Sequence, residues 1–122
     1  MKLSLTKPDQ ELAGRILATV PYHERLPAGR LRPPVGILAG SVRSLHELHL
    51  LLTPDDRSLP GISMAALVNW VETRIGDAEL GRRMREGTAA ATSYVEACLV
   101  AYRLVERRLA QARKAVGAGG VS

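Results

Sequence analysis

The chain has 122 residues and a net charge of +5, and its apolar residues are mainly Leu and Ala, with no Phe and one Trp. This length allows one domain with a single hydrophobic core, and the residue mixture favours helices over strands. The lone Cys98 excludes an internal disulfide, and no apolar run reaches the roughly 18 residues of a membrane span. We therefore expect a cytoplasmic protein without a membrane segment.

The first predicted helix lies in "KPDQELAGRILATV", residues 7–20. Pro8 and Asp9 are typical of a helix start, and apolar residues then recur at helical spacing. Pro21 follows directly, so the helix is expected to end before it.

Residues 22–43 contain three prolines and three glycines, which are poorly compatible with long regular elements. We therefore expect a Pro-rich arm or loop here, suited to wrapping a neighbour. One short extended segment is expected within it, at "VGILA".

A second helix is predicted to begin at Ser44. Glu47 follows three residues later, and this spacing is typical of a capping box, in which two side chains bond the free amides at a helix start. Leucines then form an apolar stripe, and the turn-forming residues 53–61 end the helix.

Two further helices are predicted before the C-terminal segment. Ser63 is placed to cap the third helix, and Gly76 is placed to end it at a positive φ angle. Asp77 is placed to cap a short fourth helix, which Gly87 is expected to end.

The last predicted helix, residues 92–116, is the longest, and its start is placed at Thr88, Thr92 or Ser93. Apolar residues recur along it at alternating spacings of four and three, a heptad pattern that predicts an interaction seam facing partner helices. The seam residues are Val95, Cys98, Tyr102, Val105, Leu109, Ala112 and Val116. The other helices are about half as long, so we expect residues 107–116 to protrude or to meet another subunit.

The elements together predict an all-α fold. We expect a single-domain bundle of four to five helices over residues 1–116, with a Pro-rich arm at 22–43 and one long C-terminal helix. Residues 117–122 lack an apolar face and are expected to form a flexible tail.

Two stretches resemble an uncharacterised family of small bacterial and archaeal proteins. They are "SLHELHLLL" (44–52) and "LVNWVETRIGDAELGRRMRE" (67–86), about a third of the chain. The residues that carry the resemblance are Leu45, Glu47, Leu48, Leu67, Trp70, Val71, Gly76, Asp77, Glu79 and Leu80. The resemblance implies a helical module without a known activity.

Candidate catalytic and metal-binding residues are few. His46 and His49 lie one turn apart on the second helix and His23 lies in the arm, but no Cys pair or further His motif completes a metal site. Cys98 occupies a seam position, where a buried apolar role is expected. "VGILAGSVRS" lacks the Lys and the spacing of a phosphate-binding loop. We therefore expect no enzyme activity, no metal and no cofactor.

The basic residues are the stronger candidates for binding. From residue 82 to the end, the chain has eight cations and three anions. Arginine suits phosphate recognition, and the possible phosphate contacts on the long helix are Arg103, Arg107, Arg108, Arg113 and Lys114.

The first functional hypothesis is a non-enzymatic protein-interaction or accessory subunit, which self-associates or joins a larger assembly through the seam. The alternative is a nucleic-acid-associated accessory protein that contacts phosphates through Arg-rich helix faces.

Overall fold

The computed structural model describes residues 5–34, 36–55 and 57–120, with side chains described as far as Gly117. Helices and short strands both occur in this part of the chain. The helices are α1 (Gln10–Leu17), α2 (Leu45–Leu52), α3 (Met64–Trp70), α4 (Ala78–Ala90) and α5 (Tyr94–Gly120). A 3₁₀ turn lies at Tyr22–Glu24, and a π-helical turn, Val71–Ile75, continues α3. The strands are β1 (Leu26–Pro27), β2 (Gly29–Arg32), β3 (Gly36–Leu38), β4 (Ser41–Val42) and β5 (Leu59–Gly61).

The strands make the prediction of an all-α fold wrong, because the protein is a mixed α and β structure. β1 pairs antiparallel with β4, and β2 lies between β3 and β5 in a second antiparallel sheet. The predicted arm at 22–43 therefore folds onto the domain. Its glycines permit close strand contact, since a Cβ atom at Gly29 would overlap the carbonyl oxygen of Leu38. The segment that the composition predicts to be a loop is thus compatible with short strands.

The predicted starts of the first two helices are confirmed. The Asp9 carboxylate accepts a hydrogen bond from the Leu12 amide at 2.8 Å, and the Ser44 hydroxyl accepts one from the Glu47 amide at 3.1 Å. The Glu47 carboxylate accepts from the amide of Arg43 at 2.8 Å, one residue before the helix cap. The capping box therefore forms with its second bond displaced by one residue.

The cap at Ser63 and the turn at Gly76 are also confirmed. The Ser63 hydroxyl accepts a hydrogen bond from the Ala66 amide, and Gly76 has a φ of 82°, a left-handed conformation that favours glycine. Asp77 accepts from the Leu80 amide at 3.1 Å and so caps α4 as expected.

The predicted end of α4 and one of the predicted starts of α5 are wrong. The buried Gly87 lies inside α4, which continues to Ala90. A glycine inside a helix costs only about 1 kcal/mol, which the packing of α4 on α5 can offset. Thr88 consequently lies within α4, and Ser93 caps α5 by accepting a hydrogen bond from the Glu96 amide.

The long helix α5 lies at the centre of the packing. Its 27 residues span about 40 Å, and α1, α2 and α4 all pack against it. Trp70 is buried within the hydrophobic core, and its indole N–H donates to the Glu24 carbonyl at 2.7 Å, which holds the 3₁₀ turn against α3. The predicted flexible tail, 117–122, begins within α5, and residues 121 and 122 lie outside the described residues.

Candidate functional site

Most of the predicted interaction seam lies inside the chain's own core. Four of its members are buried and Tyr102 is half-buried; the buried members are Cys98, Val105, Leu109 and Ala112. The two end members, Val95 and Val116, are 47% and 40% exposed. The three shorter helices pack around α5 and together cover a length that none of them covers alone. The seam is therefore filled by this chain as far as Ala112.

A second buried row runs along α5 beside the seam. It contains Ala97, Ala101, Leu104 and Arg108, at spacings of four, three and four. The first three residues are apolar and lie at helical spacing, so a sequence search for an apolar stripe wider than the heptad positions could have found them. Arg108 interrupts that stripe, and it is the most unusual member of the row because its side chain is only 1% exposed.

The Arg108 guanidinium is bonded on all sides. Its Nε and Nη2 donate to the two carboxylate oxygens of Asp77 at 2.7 and 3.0 Å. Nη1 donates to the Thr6 carbonyl at 2.6 Å and to the Gln111 side chain at 3.0 Å, and Nη2 also donates to Glu79 at 3.2 Å. Arg108 was predicted as a possible phosphate contact, but the structure engages its donors within the fold.

Glu79 joins the same network and holds the N-terminal segment. The backbone amide and the hydroxyl of Thr6 both donate to its carboxylate. Partial burial raises the pKa of Glu79, but the Thr6 hydrogen bonds and the charge of Arg108 outweigh this effect, so that its pKa is lowered. Asp77 and Arg108 are 31 residues apart, and no local sequence rule brings them together.

Four other cations predicted as phosphate contacts lie exposed on α5: Arg103, Arg107, Arg113 and Lys114. Helical geometry places Arg103, Arg107 and Lys114 within about 40° of one another around the helix axis, and we call these three the basic face. Within the part of the chain that the structure describes, these three have no carboxylate oxygen within 4.0 Å. A shallow depression of about 350 Å³ is lined by Arg103, Glu106, Arg107 and Ala110.

A polar cluster borders the basic face, where α2 meets α5. The His49 ring stacks on Tyr102, with centroids 5.1 Å apart and planes at 16°. The Tyr102 hydroxyl donates to Glu106 at 3.1 Å, and this hydrogen bond is the main reason that the pKa of Tyr102 is raised. His46 Nδ1 lies 3.4 Å from Arg113 Nη2. The boundary of the basic face therefore contains two histidines and one carboxylate.

The cluster does not have the composition of a metal site. His23 lies apart from it, exposed, with its Nε2 3.5 Å from Glu24. Among the described residues, no group of three or more His, Cys, Asp or Glu side chains is placed to hold a metal ion.

The remaining candidates have structural positions. Burial raises the pKa of the Cys98 thiol, although a hydrogen bond with Tyr94 partly opposes this, so the thiol is a poor nucleophile. Gly36 begins β3 and Gly40 lies just before β4, so both glycines lie among the short strands, and the N-terminus of α2 that follows β4 is capped by Ser44.

Comparison with known proteins identifies no relative. No protein-family model, no curated protein and no solved structure matches the chain significantly. The resemblance of residues 44–86 to an uncharacterised helical family therefore stays a prediction. In the part of the chain described here, no helix combines the length and the apolar character needed to cross a bilayer.

Proposed function

We propose that this protein is a non-enzymatic accessory protein that binds the phosphate backbone of a nucleic acid through the basic face of α5. The observation that carries the proposal is the exposure of Arg103, Arg107 and Lys114 on one side of a single helix, without carboxylate partners among the described residues. The buried, unpaired Cys98 supports a reducing compartment such as the cytoplasm.

The covered seam weakens the case for self-association through α5. Its exposed ends, Val95 and Val116, are separated by 21 positions, or about 31 Å along the helix. Two isolated valines at that distance do not form one apolar patch large enough for a stable interface. We keep the proposal of an accessory protein from the sequence. Its binding surface, however, is now the basic face and not the apolar seam.

Arginines elsewhere on the protein more often have a hydrogen-bond or ion-pair partner than those of the basic face. Arginines bonded to carboxylates or carbonyl oxygens within the described residues are Arg25, Arg30, Arg43, Arg74, Arg83, Arg85 and Arg108. Arg32 and Arg57 line a separate groove beside β2 and β5. Nearby, Asp55 has a lowered pKa, chiefly through a hydrogen bond from the Arg57 amide, with smaller contributions from the charges of Arg30 and Arg32. Its carboxylate accepts hydrogen bonds from Arg57 and Ser58, which line the groove, and so offsets part of the groove's positive charge.

The spacing of the basic face suits a regular line of phosphates. Arg103 and Arg107 are separated by about 6 Å of helix rise, and Arg103 and Lys114 by about 16 Å. Phosphates of one DNA strand recur about every 3.4 Å along the duplex axis, so these cations can reach several of them. Tyr102 is half-buried and its hydroxyl is engaged by Glu106, so it is poorly placed to stack on bases. We therefore propose binding to the backbone without sequence reading.

The test is binding of a fluorescent DNA duplex of about 20 base pairs, measured by anisotropy over a range of salt concentrations. Three to four phosphate contacts correspond to a slope of log K against log salt of about −2.7 to −3.6. The variant R103E/R107E/K114E should lose binding. The matched control R32E/R57E/R82E changes the net charge equally at exposed sites outside the basic face and should retain most of it.

Two results would contradict the proposal. Equal losses in the two variants would mean that only net charge matters. No binding by the unmodified protein at about 50 mM salt, where non-specific backbone contacts are strong, would remove the proposed function altogether.

A further inference from the structure

His49 has an imidazole nitrogen without a partner. Its side chain is 23% exposed, but its Nε2 is shielded from solvent and has no hydrogen-bond partner among the described residues. A shielded polar atom left unpaired costs free energy, so its retention calls for an explanation. The nearest carboxylate oxygen is Oε2 of Glu106, 3.7 Å away, which is too far for a hydrogen bond.

The surroundings of His49 direct this nitrogen toward Glu106. The titratable groups that face it from α5 are Tyr102, which stacks on its ring, and Glu106. On α2, His46 lies one turn earlier and contacts Arg113. Because the Tyr102 hydroxyl donates to Oε2 of Glu106, the same oxygen is held beside the imidazole.

The negative charge of Glu106 also affects how the basic face binds anions. It lies between Arg103 and Arg107 in the sequence and lines the same depression. Its side chain is 57% exposed, so its negative charge opposes a phosphate that approaches the two guanidiniums. Whatever neutralises Glu106 therefore strengthens the binding of an anion there.

We propose that protonation of His49 regulates the basic face by pairing with Glu106, so that phosphate binding strengthens as pH falls. This inference rests on the proposed function. Protonation makes both imidazole nitrogens N–H donors, and a small movement of Nε2 from 3.7 Å to about 2.8 Å then forms a charge-assisted hydrogen bond to Glu106. Without that proton the Glu106 carboxylate stays uncompensated and weakens binding.

The binding test compares duplex affinity at about pH 8 and about pH 5.5 at constant ionic strength, the range over which histidine changes charge. The unmodified protein should bind about three-fold more tightly at the lower pH, as expected for one surface charge close to phosphates. H49Q should lose this response and keep the weaker affinity. H23Q is the matched control, because it removes an exposed histidine that lies apart from the basic face, and it should keep the response. E106Q should already bind tightly at pH 8.

A second measurement separates this inference from the proposed function. The unfolding free energies of the unmodified protein, H49Q, E106Q and the double variant form a double-mutant cycle at each pH. Coupling between His49 and Glu106 should be present at pH 5.5 and absent at pH 8. A coupling that does not depend on pH, or a binding response that survives in H49Q or disappears in H23Q, would overturn the inference. If no duplex binding occurs at either pH, the proposed function fails, and the cycle alone decides whether the pair forms.

Discussion

Replacing Asp77 with Asn tests whether the buried Arg108 network holds the fold together. Asn keeps the shape and can still cap α4 by accepting from the Leu80 amide, but it removes the charge that faces Arg108 at 2.7 and 3.0 Å. Both side chains of the pair are only 1% exposed, so solvent cannot replace the lost partner. Breaking such a pair typically costs 3–5 kcal/mol. Glu79 remains 3.2 Å from Nη2, so we expect the lower end, about 3 kcal/mol.

The assay is urea unfolding followed by circular dichroism. With an m-value of about 1.5–2 kcal/mol/M, a loss of about 3 kcal/mol lowers the midpoint by roughly 1.5–2 M. The double variant D77N/R108M removes the stranded charge and should recover at least half of the lost stability. A loss below about 1 kcal/mol in D77N, or no recovery in the double variant, would refute the view that an unpaired buried guanidinium is the main cost.

Two further predictions concern the same fold. The pKa of Glu79 is lowered in the folded state below 4.5, the ordinary value for a glutamate, so its contribution to stability is present above that value and is lost as pH falls through the folded-state pKa. Unfolding measured between about pH 6 and pH 3 should therefore show a shallower acid loss in E79Q, and an unchanged slope would contradict this. Gly29→Ala should destabilise by about 1–3 kcal/mol, because the new methyl group would overlap the Leu38 carbonyl oxygen. Gly14→Ala is its control: apart from its chain neighbours and the nearby backbone of α1, no atom of the described residues lies within 4 Å of the new Cβ, so thermal unfolding should show a gain of up to about 1 kcal/mol.

The candidate site was only partly predictable from the sequence. Helical spacing correctly places Arg103, Arg107 and Lys114 on one side of α5, since their positions on a helix depend only on residue number. Spacing does not reveal that α2 brings His49 against Tyr102 and Glu106, because this contact depends on how two helices pack. The seam was identified as apolar, but only the packing of three shorter helices decides that the chain covers most of it.

The sequence by itself determined the starts of the first four helices. In each of them, the side chain of the cap residue accepts a hydrogen bond from the amide three residues later, so four consecutive residues determine the cap. The cap residues are Asp9, Ser44, Ser63 and Asp77. The sheets lie beyond such local rules. Gly29 pairs with Gly61, and strands of two to four residues carry too short a pattern to distinguish them from a loop.

Tertiary structure also decided the roles of two adjacent arginines. Arg107 and Arg108 are chemically identical, and their neighbours in the sequence give both the appearance of surface cations. A rotation of about 100° per residue directs Arg107 outward and Arg108 toward Asp77. Burial of Arg108 is tolerated because α4 and the Thr6 segment supply acceptors for its donors, and those acceptors come together only when the chain is folded.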